Sequence, residues 1–444
     1  MGFVYLVAIV AACAGLLFGY DTGAVSGAIV FVRQEFRLTP LMVGVVTSIA
    51  LAGASAGAAA GGSVADRFGR RHVIIGTAVL FILGSIGSAF SPSVDWLIAS
   101  RVVIGIATGV ASFVAPMYLS EMAPPKVRGS MVACNQLAVT IGILASYLVD
   151  YGFADGGRWR WMFGVGVVPA LALLIGMTVV PDTPRWLMLR GRKDEALAAL
   201  RRIRTPAQIG PELGEMREAL AASSGRWSDL LSSALRMPMI VGIGLAVLQQ
   251  ATGINTVIYF APTIFHQAGF ASGAASIFAS LSVGVVNVVM TVVAVLLLDR
   301  VGRRPLLLIG EAGMVLGLAA LAAGFALRGA GGLVGWITTF SLIAYVGFFA
   351  IGLGPVFWLL IAEIYPLRLR GRAMSVATVA NWVANLIMTL TFPALVAAIG
   401  SSATFGLYAL IGVASFIFTW RLVPETRGKT LEQIEQVWGT SASH

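Results

Sequence analysis

Asp21, in the middle of the first long apolar run, and Arg101, inside the fourth, are ionisable side chains standing where apolar sequence normally holds none. A charge at the centre of a bilayer costs about 2.5–3.5 kcal/mol even on the lenient insertion scale, so such residues turn to a partner or an aqueous cavity and mark ion or substrate paths. At 1.5 Å per residue, Asp21 lies about 25 Å along its helix from Val4, and Arg101 about 9 Å below the outer end of a helix entered near Asp95. In a hydrocarbon core about 30 Å thick these depths nearly coincide, so the two groups can pair. The chemistry open to such a pair is proton exchange, in which a proton competes with the guanidinium for the carboxylate. The plainer alternative is a structural carboxylate neutralised by a nearby cation.

The elements that must hold this pair are long helices. Gly15, Gly19, Gly23 and Gly27 recur every four residues around Asp21, which lines one helix face with small residues where a neighbour can approach closely. The 444 residues are 58% hydrophobic and 11% charged, against about 25% charged in a globular domain. Recurring apolar runs of about 20 residues make this an all-α, polytopic membrane protein. We read twelve spans, centred near residues 16, 53, 81, 107, 141, 170, 252, 286, 316, 349, 385 and 413. The first is too long for a cleaved signal peptide, and no Ala-x-Ala-like site follows it. Cys13 and Cys134 both fall in apolar segments and read as structural thiols, with no disulfide framework or metal spacing.

A net charge of +10 raises the question of a nucleic-acid partner. The distribution argues against one. With loops assigned alternately to the two sides, 24 of the 30 basic residues fall on one side. They run from Arg67, Arg70 and Arg71 through the ten between Arg185 and Arg236 to Arg427 and Lys429. This is the positive-inside pattern, and it places both termini in the cytosol of a cell (inner) membrane. The polar, basic connection divides the spans six and six. The chain thus reads as a first bundle over 1–182, a cytosolic linker over 183–236, a second bundle over 237–428 and a tail over 429–444. Within the linker, Lys193 to Arg204 alternates Ala and Leu with charge at helical spacing and predicts an amphipathic helix on the cytosolic face. Leu431 to Val437 reads as another short one.

The two bundles repeat each other. Asp66-Arg67-Phe68-Gly69-Arg70-Arg71 returns as Asp299-Arg300-Val301-Gly302-Arg303-Arg304. Glu121 and Arg128 return as Glu363 and Arg370, and Gly19-Tyr20-Asp21-Thr22 returns as Gly253-Ile254-Asn255-Thr256. Parallel repeats of six spans point to a transporter with its site at the midplane between the halves. The charged turns after spans 2 and 8 can pair with Glu121 and Glu363 and latch the cytosolic side in one state. Topology-setting charge alone explains the arginines, but neither the two aspartates nor the glycines.

Three other patterns carry nothing. Gly53-Ala54-Ser55-Ala56-Gly57 matches a hydrolase elbow but lies inside an apolar span, where with Gly61 it makes a packing stripe. Gly428-Lys429-Thr430 ends like a phosphate-binding loop but has Val423 where the first glycine is required. His72, His266 and His444 are scattered and make no metal cluster. Neither a cofactor nor enzyme chemistry is expected.

Taken together, these stretches resemble the sugar porter family of the major facilitator superfamily. The resemblance is carried by Gly62 to Arg71, Arg101, Pro116 to Glu121 through Arg128-Gly129, Pro181-Asp182-Thr183-Pro184-Arg185-Trp186, Gln249-Gln250 through Asn255, Asp299 to Arg304, Gly354-Pro355 through Trp358, Glu363 through Arg372, Asn381-Trp382 through Asn385, and Pro424 to Gly428. It implies the twelve-helix major facilitator fold, alternating access, and a monosaccharide carried with protons by a functional monomer. Gln136, Gln249, Gln250, Asn255, Tyr259, Asn287, Trp358 and Asn381 stand at its sugar-contacting positions. The chemistry agrees: a neutral polyol is bound by amides that donate and accept, and by a ring face, rather than by charges. For any one amide the alternative is a helix–helix hydrogen bond, worth about 0.6 kcal/mol; Asn287 and Asn385 fit either. Gly354-Pro355 would break span 10 beside the site.

In the family an acid at the Asp21 position accompanies proton-coupled members. Ala350, where facilitative members carry Glu, leans the same way. An uncoupled facilitator, a polyol transporter and a sugar sensor remain as alternatives. Ala246-Val247-Leu248, Ile143 and Asn381 depart from residues seen in relatives of known preference, which leaves the particular sugar open.

Overall fold

The computed structural model describes residues 2–124, 128–221, 227–270, 272–327, 332–366 and 369–427; for Arg128 and Asp299 it describes the backbone alone. The expected tail helix at 431–437 lies outside these residues. The first half consists of α1 (Gly2–Glu35), α2 (Pro40–Phe68), α3 (Arg70–Ala89), α4 (Val94–Met122), α5 (Arg128–Ala154) and a sixth span broken into α6 (Trp159–Gly164) and α7 (Val167–Val179). Then come linker helices α8 (Pro184–Leu189), α9 (Lys193–Ile203) and α10 (Pro206–Ala221), and a 3-10 turn, Trp227–Leu231. The second half consists of α11 (Ser233–Ala251), α12 (Ile254–Gln267), α13 (Gly273–Val301), α14 (Arg303–Ala326), α15 (Gly332–Ile351), α16 (Leu353–Ile364) and α17 (Arg370–Leu422).

Eleven helical stretches among the described residues are long and apolar enough to cross a membrane. The eleventh is α17, whose 53 residues bend at Gly400, with φ 81°, and so supply the last two of twelve spans. Helix starts follow local chemistry: Thr39, Ser93 and Ser272 each accept from a backbone N–H three residues on, capping α2, α4 and α13.

The glycine stripes do what their spacing demands. Gly15, Gly19, Gly23 and Gly27 all face α5, where an added Cβ would strike Asn135, Val139, Ser146 and Asp150. The stripe of Gly53, Gly57 and Gly61 meets α4 between Val102 and Val110, and Gly105 and Gly109 return the contact against Ala50 and Ala54. Helices that close are held by dispersion along their whole length, since bilayer offers no hydrophobic drive between them.

Two local expectations change. Span 10 breaks at Gly352 rather than at Gly354-Pro355. Pro355 falls in the first turn of α16, where a missing N–H costs nothing. The amphipathic linker helix forms as α9, but its apolar face is used by protein. Ala196 and Ala199 pack with Trp186, Leu187 and Met188, and Ile203 joins the core of the first half. Arg204 fixes the arrangement, pairing with Glu212 at 2.6 Å while donating to the Met122 and Ala123 carbonyls at the end of α4.

Both arginine turns and the linker share one end of the bundle, called here the charged end. Contacts between the halves lie from mid-height to the opposite, far end among the described residues. Phe18 meets Trp382 with ring centroids 5.2 Å apart, and Tyr151 meets Phe278 at the same distance. Ser26 and Tyr147 both donate to the Ile258 carbonyl, at 2.9 and 2.8 Å. Gly44 abuts the Leu390 carbonyl.

Candidate transport site

The first half holds the charges. Arg101 donates to Asp21 through both terminal nitrogens, Nη1 to Oδ1 at 2.8 Å and Nη2 to Oδ2 at 3.2 Å. Both side chains are buried, Arg101 at 1% exposure and Asp21 at 8%. This fork-to-fork geometry is the strongest neutralisation an arginine offers a carboxylate. The Phe163 ring lies 5.4 Å from the guanidinium carbon, and Nε is left without a hydrogen-bond partner among the described residues. The depth count from sequence thus locates a real pair.

The second half holds the amides. Span 7 opens between Ala251 and Ile254 because Gly253 takes φ 88°, a left-handed turn, and the Tyr408 ring fills the space beside its Cα. Gln249, Gln250 and Asn255 therefore converge from two helix pieces instead of one. Gln250 Nε2 donates to Gln249 Oε1 at 3.3 Å and to Asn381 Oδ1 at 3.1 Å. Asn381 Nδ2 donates to Gln249 Oε1 at 2.7 Å and to the Ala246 carbonyl at 2.9 Å. Asn255 Nδ2 donates to Gln250 Oε1 at 2.8 Å, and Gln249 Nε2 to the Leu353 carbonyl at 2.7 Å, at the break of span 10. Four amides form one network that can exchange its internal bonds for a ligand's hydroxyls.

Tyr259 of the second half reaches toward the charged pair of the first. It is buried at 3% exposure, with its hydroxyl turned toward Thr22 and Asn385 and within electrostatic reach of Asp21 and Arg101. Trp358 is half-buried against Phe357, Gln136 is half-buried on α5, and Asn287 is buried on α13 outside the amide network. Asn385 accepts from Thr389 at 3.1 Å on its own helix.

At the charged end, Arg70 pairs with Glu121 through Nε at 3.2 Å and with Asp66 at 3.1 Å. Arg303 pairs with Glu363 at 2.9 Å. Each of these pairs joins helices of one half. Arg71 and Arg304 hold backbone carbonyls instead, Met177 and Thr178 for the first and Trp420 for the second. Arg370 reaches the Tyr365 carbonyl, the Arg300 carbonyl accepts from Arg427, and Arg67 lies exposed over Phe68. The gate roles of the Arg128 and Asp299 side chains fall outside the described ones.

Two functional carboxylates carried no assigned role in the sequence. Asp182 Oδ1 accepts the backbone N–H groups of Arg70 and Arg71 at 3.1 and 3.4 Å. Glu425 accepts those of Arg303 and Arg304, both at 3.1 Å. Each thus caps the helix that starts after Gly69 or Gly302, whose φ of 91° and 105° turn the chain sharply. A carboxylate here satisfies orphan donors and meets the positive end of the helix dipole. The signal was present: Pro181-Asp182-Thr183 at the end of the first bundle returns as Pro424-Glu425-Thr426 at the end of the second.

The chain is similar to known proteins over nearly its whole length. The family model described as "Sugar (and other) transporter" matches residues 7–438. The D-xylose transporter of Levilactobacillus brevis is 41% identical over 98% of this chain and 95% of its own. The galactose-proton symporter of Escherichia coli K12 is 40% identical over 97% of this chain and 94% of its own. Among solved structures, the partially occluded inward-open form of the xylose transporter XylE from E. coli superposes with a TM-score of 0.85. It is 31% identical and covers 97% of this chain and 100% of that one.

Proposed function

The chain belongs to the sugar transporter family, and from that premise we propose that it carries a monosaccharide into the cell together with a proton by alternating access. It is an integral membrane protein. The observation that carries the reading is a buried Asp21–Arg101 pair in the first half and a network of neutral amides in the second. One region can trade a proton for a guanidinium, and the other can trade internal hydrogen bonds for a polyol. Relatives named for xylose and for galactose with protons support the class and leave the sugar open.

Gln136, Asn287 and Trp358 complete the sugar site in this reading. The charged end faces the cytosol, with both termini there, in the cell membrane, and the protein works as a monomer without enzyme chemistry. The contacts between halves at the far end, and the likeness to an inward-open relative, support an inward-facing state. Closing the charged end would then bring the turns of Asp66 to Arg71 and Asp299 to Arg304 toward each other as the cytosolic gate.

Uptake of labelled sugars into proteoliposomes tests this. Accumulation should follow an imposed proton gradient, collapse with a protonophore and be competed by the matching sugar. Equilibration without accumulation would make the protein a facilitator.

A further inference from the structure

The Asp21 pair leaves a second membrane-depth carboxylate unused. Asp150 on α5 is fully buried, and neither carboxylate oxygen has a hydrogen-bond partner among the described residues. It faces Gly27, the last glycine of the α1 stripe, whose missing Cβ leaves the room the carboxyl fills. The Gly27 N–H lies beside it but belongs to the α1 ladder.

The neighbouring polar groups are committed elsewhere. On α1, Asp21 is held by Arg101 of α4, and Glu35 by Trp159 and Arg160 of α6. The Tyr20 hydroxyl, within electrostatic reach of Asp150, donates to the Met162 carbonyl. Tyr147, one turn before Asp150, donates to Ile258 of α12. Arg158 lies over Phe153. Tyr259 of α12 is turned toward Thr22 and Asn385, and His266 lies in the last turn of α12. The far half of α13, packed on α5, has no ionisable residue, since Asp299 and Arg300 belong to its charged end.

Among the described residues a charge here has neither a counter-ion nor side-chain hydrogen bonds to replace water, whereas the protonated acid is neutral. We propose that Asp150 is a second proton-binding carboxylate of this protein, loaded while the far side is closed and unloaded when that side opens. The cover is α12, which belongs to the other half. Ser26, beside Gly27, and Tyr147 both bond to its Ile258 carbonyl, so α12 lies across the seam that holds Asp150. Withdrawal of α12 admits water and lets the carboxylate ionise, and closure takes the proton back. Acid then favours the closed far side without sugar. The proposal rests on the alternating-access reading, but not on Asp21 carrying the coupled proton.

The test uses purified full-length protein without sugar or a gradient, with Cys13 and Cys134 replaced and one reporter cysteine at Leu390 in the far-end contact. The labelling rate, divided at each pH by that of a small free thiol to remove the thiolate's own titration, should fall roughly fivefold from about pH 8 to about pH 5, a window above the ordinary carboxylate range. Asp150→Asn should flatten that dependence, and Asp150→Glu should restore it. Infrared spectra at neutral pH should show a protonated-acid carbonyl band that disappears in Asp150→Asn and moves in Asp150→Glu. Should Asp150→Asn not fold, the shifted band of Asp150→Glu decides. A flat parent, a pH dependence unchanged in Asp150→Asn, or a band indifferent to residue 150 overturns the proposal. No readout involves transport, so a protein that proved uncoupled would still decide it.

Discussion

The two halves of this protein repeat a framework and differ at its centre. At the charged end they match almost part for part: Arg70 with Glu121 and the Asp182 cap in one half, Arg303 with Glu363 and the Glu425 cap in the other. At mid-height they part company. Asp21 in the first half corresponds to Asn255 in the second, and the first meets a buried arginine while the second meets Gln250. One atom group exchanged, carboxylate for amide, separates a site suited to a proton from a site suited to a polyol. A duplicated scaffold has kept its hinges and specialised its centres.

The largest expected effect comes from unbalancing the charged centre. Arg101→Leu leaves Asp21 buried without its cation, which should destabilise the protein by about 3–5 kcal/mol, the usual cost of breaking one side of a buried pair. Thermal unfolding in detergent measures it, and combining the change with Asp21→Asn should recover part of the loss. An Arg101→Leu protein as stable as the parent would mean that the pair contributes nothing.

The amide centre should respond in binding rather than in folding. Gln250→Ala or Asn255→Ala leaves buried donors and acceptors unmatched toward a sugar and should weaken binding by about 1–3 kcal/mol. Equilibrium sugar binding to purified variants checks this, and unchanged affinity in both would remove the amides from the site. The smallest effect belongs to the matched framework. Asp182→Asn and Glu425→Gln each weaken one cap and should cost about 0.5–2 kcal/mol, by similar amounts in the two halves. A large inequality between them would show that the framework is less symmetric than its geometry.

Much of this was legible in the residues. Asp21 and Arg101 stand out because apolar sequence makes charges conspicuous, and counting the helix rise placed them at one depth. The glycine spacing named the helix face, although only the structure shows that its neighbour is α5. That Gln249, Gln250, Asn255 and Asn381 belong together came from the family resemblance alone, because their convergence depends on the left-handed turn at Gly253 and on a helix more than 100 residues away. Asp182 and Glu425 were visible as repeated motifs, but a backbone cap donates through N–H groups that no side-chain pattern records. The α9 helix was readable as amphipathic, but amphipathicity alone does not say whether its apolar face meets lipid or protein.

The central claim is that Asp21 couples a proton to sugar movement. The direct measurement follows the pH of a lightly buffered suspension of intact cells as sugar is added, for the parent and for Asp21→Asn. Asp21→Asn mimics the protonated form, so it should still bind and exchange sugar. It should lose accumulation, acid stimulation of uptake, and the alkalinisation of the medium that sugar causes in the parent. A parent that moves sugar without protons, or an Asp21→Asn protein that accumulates sugar as the parent does, would contradict the account.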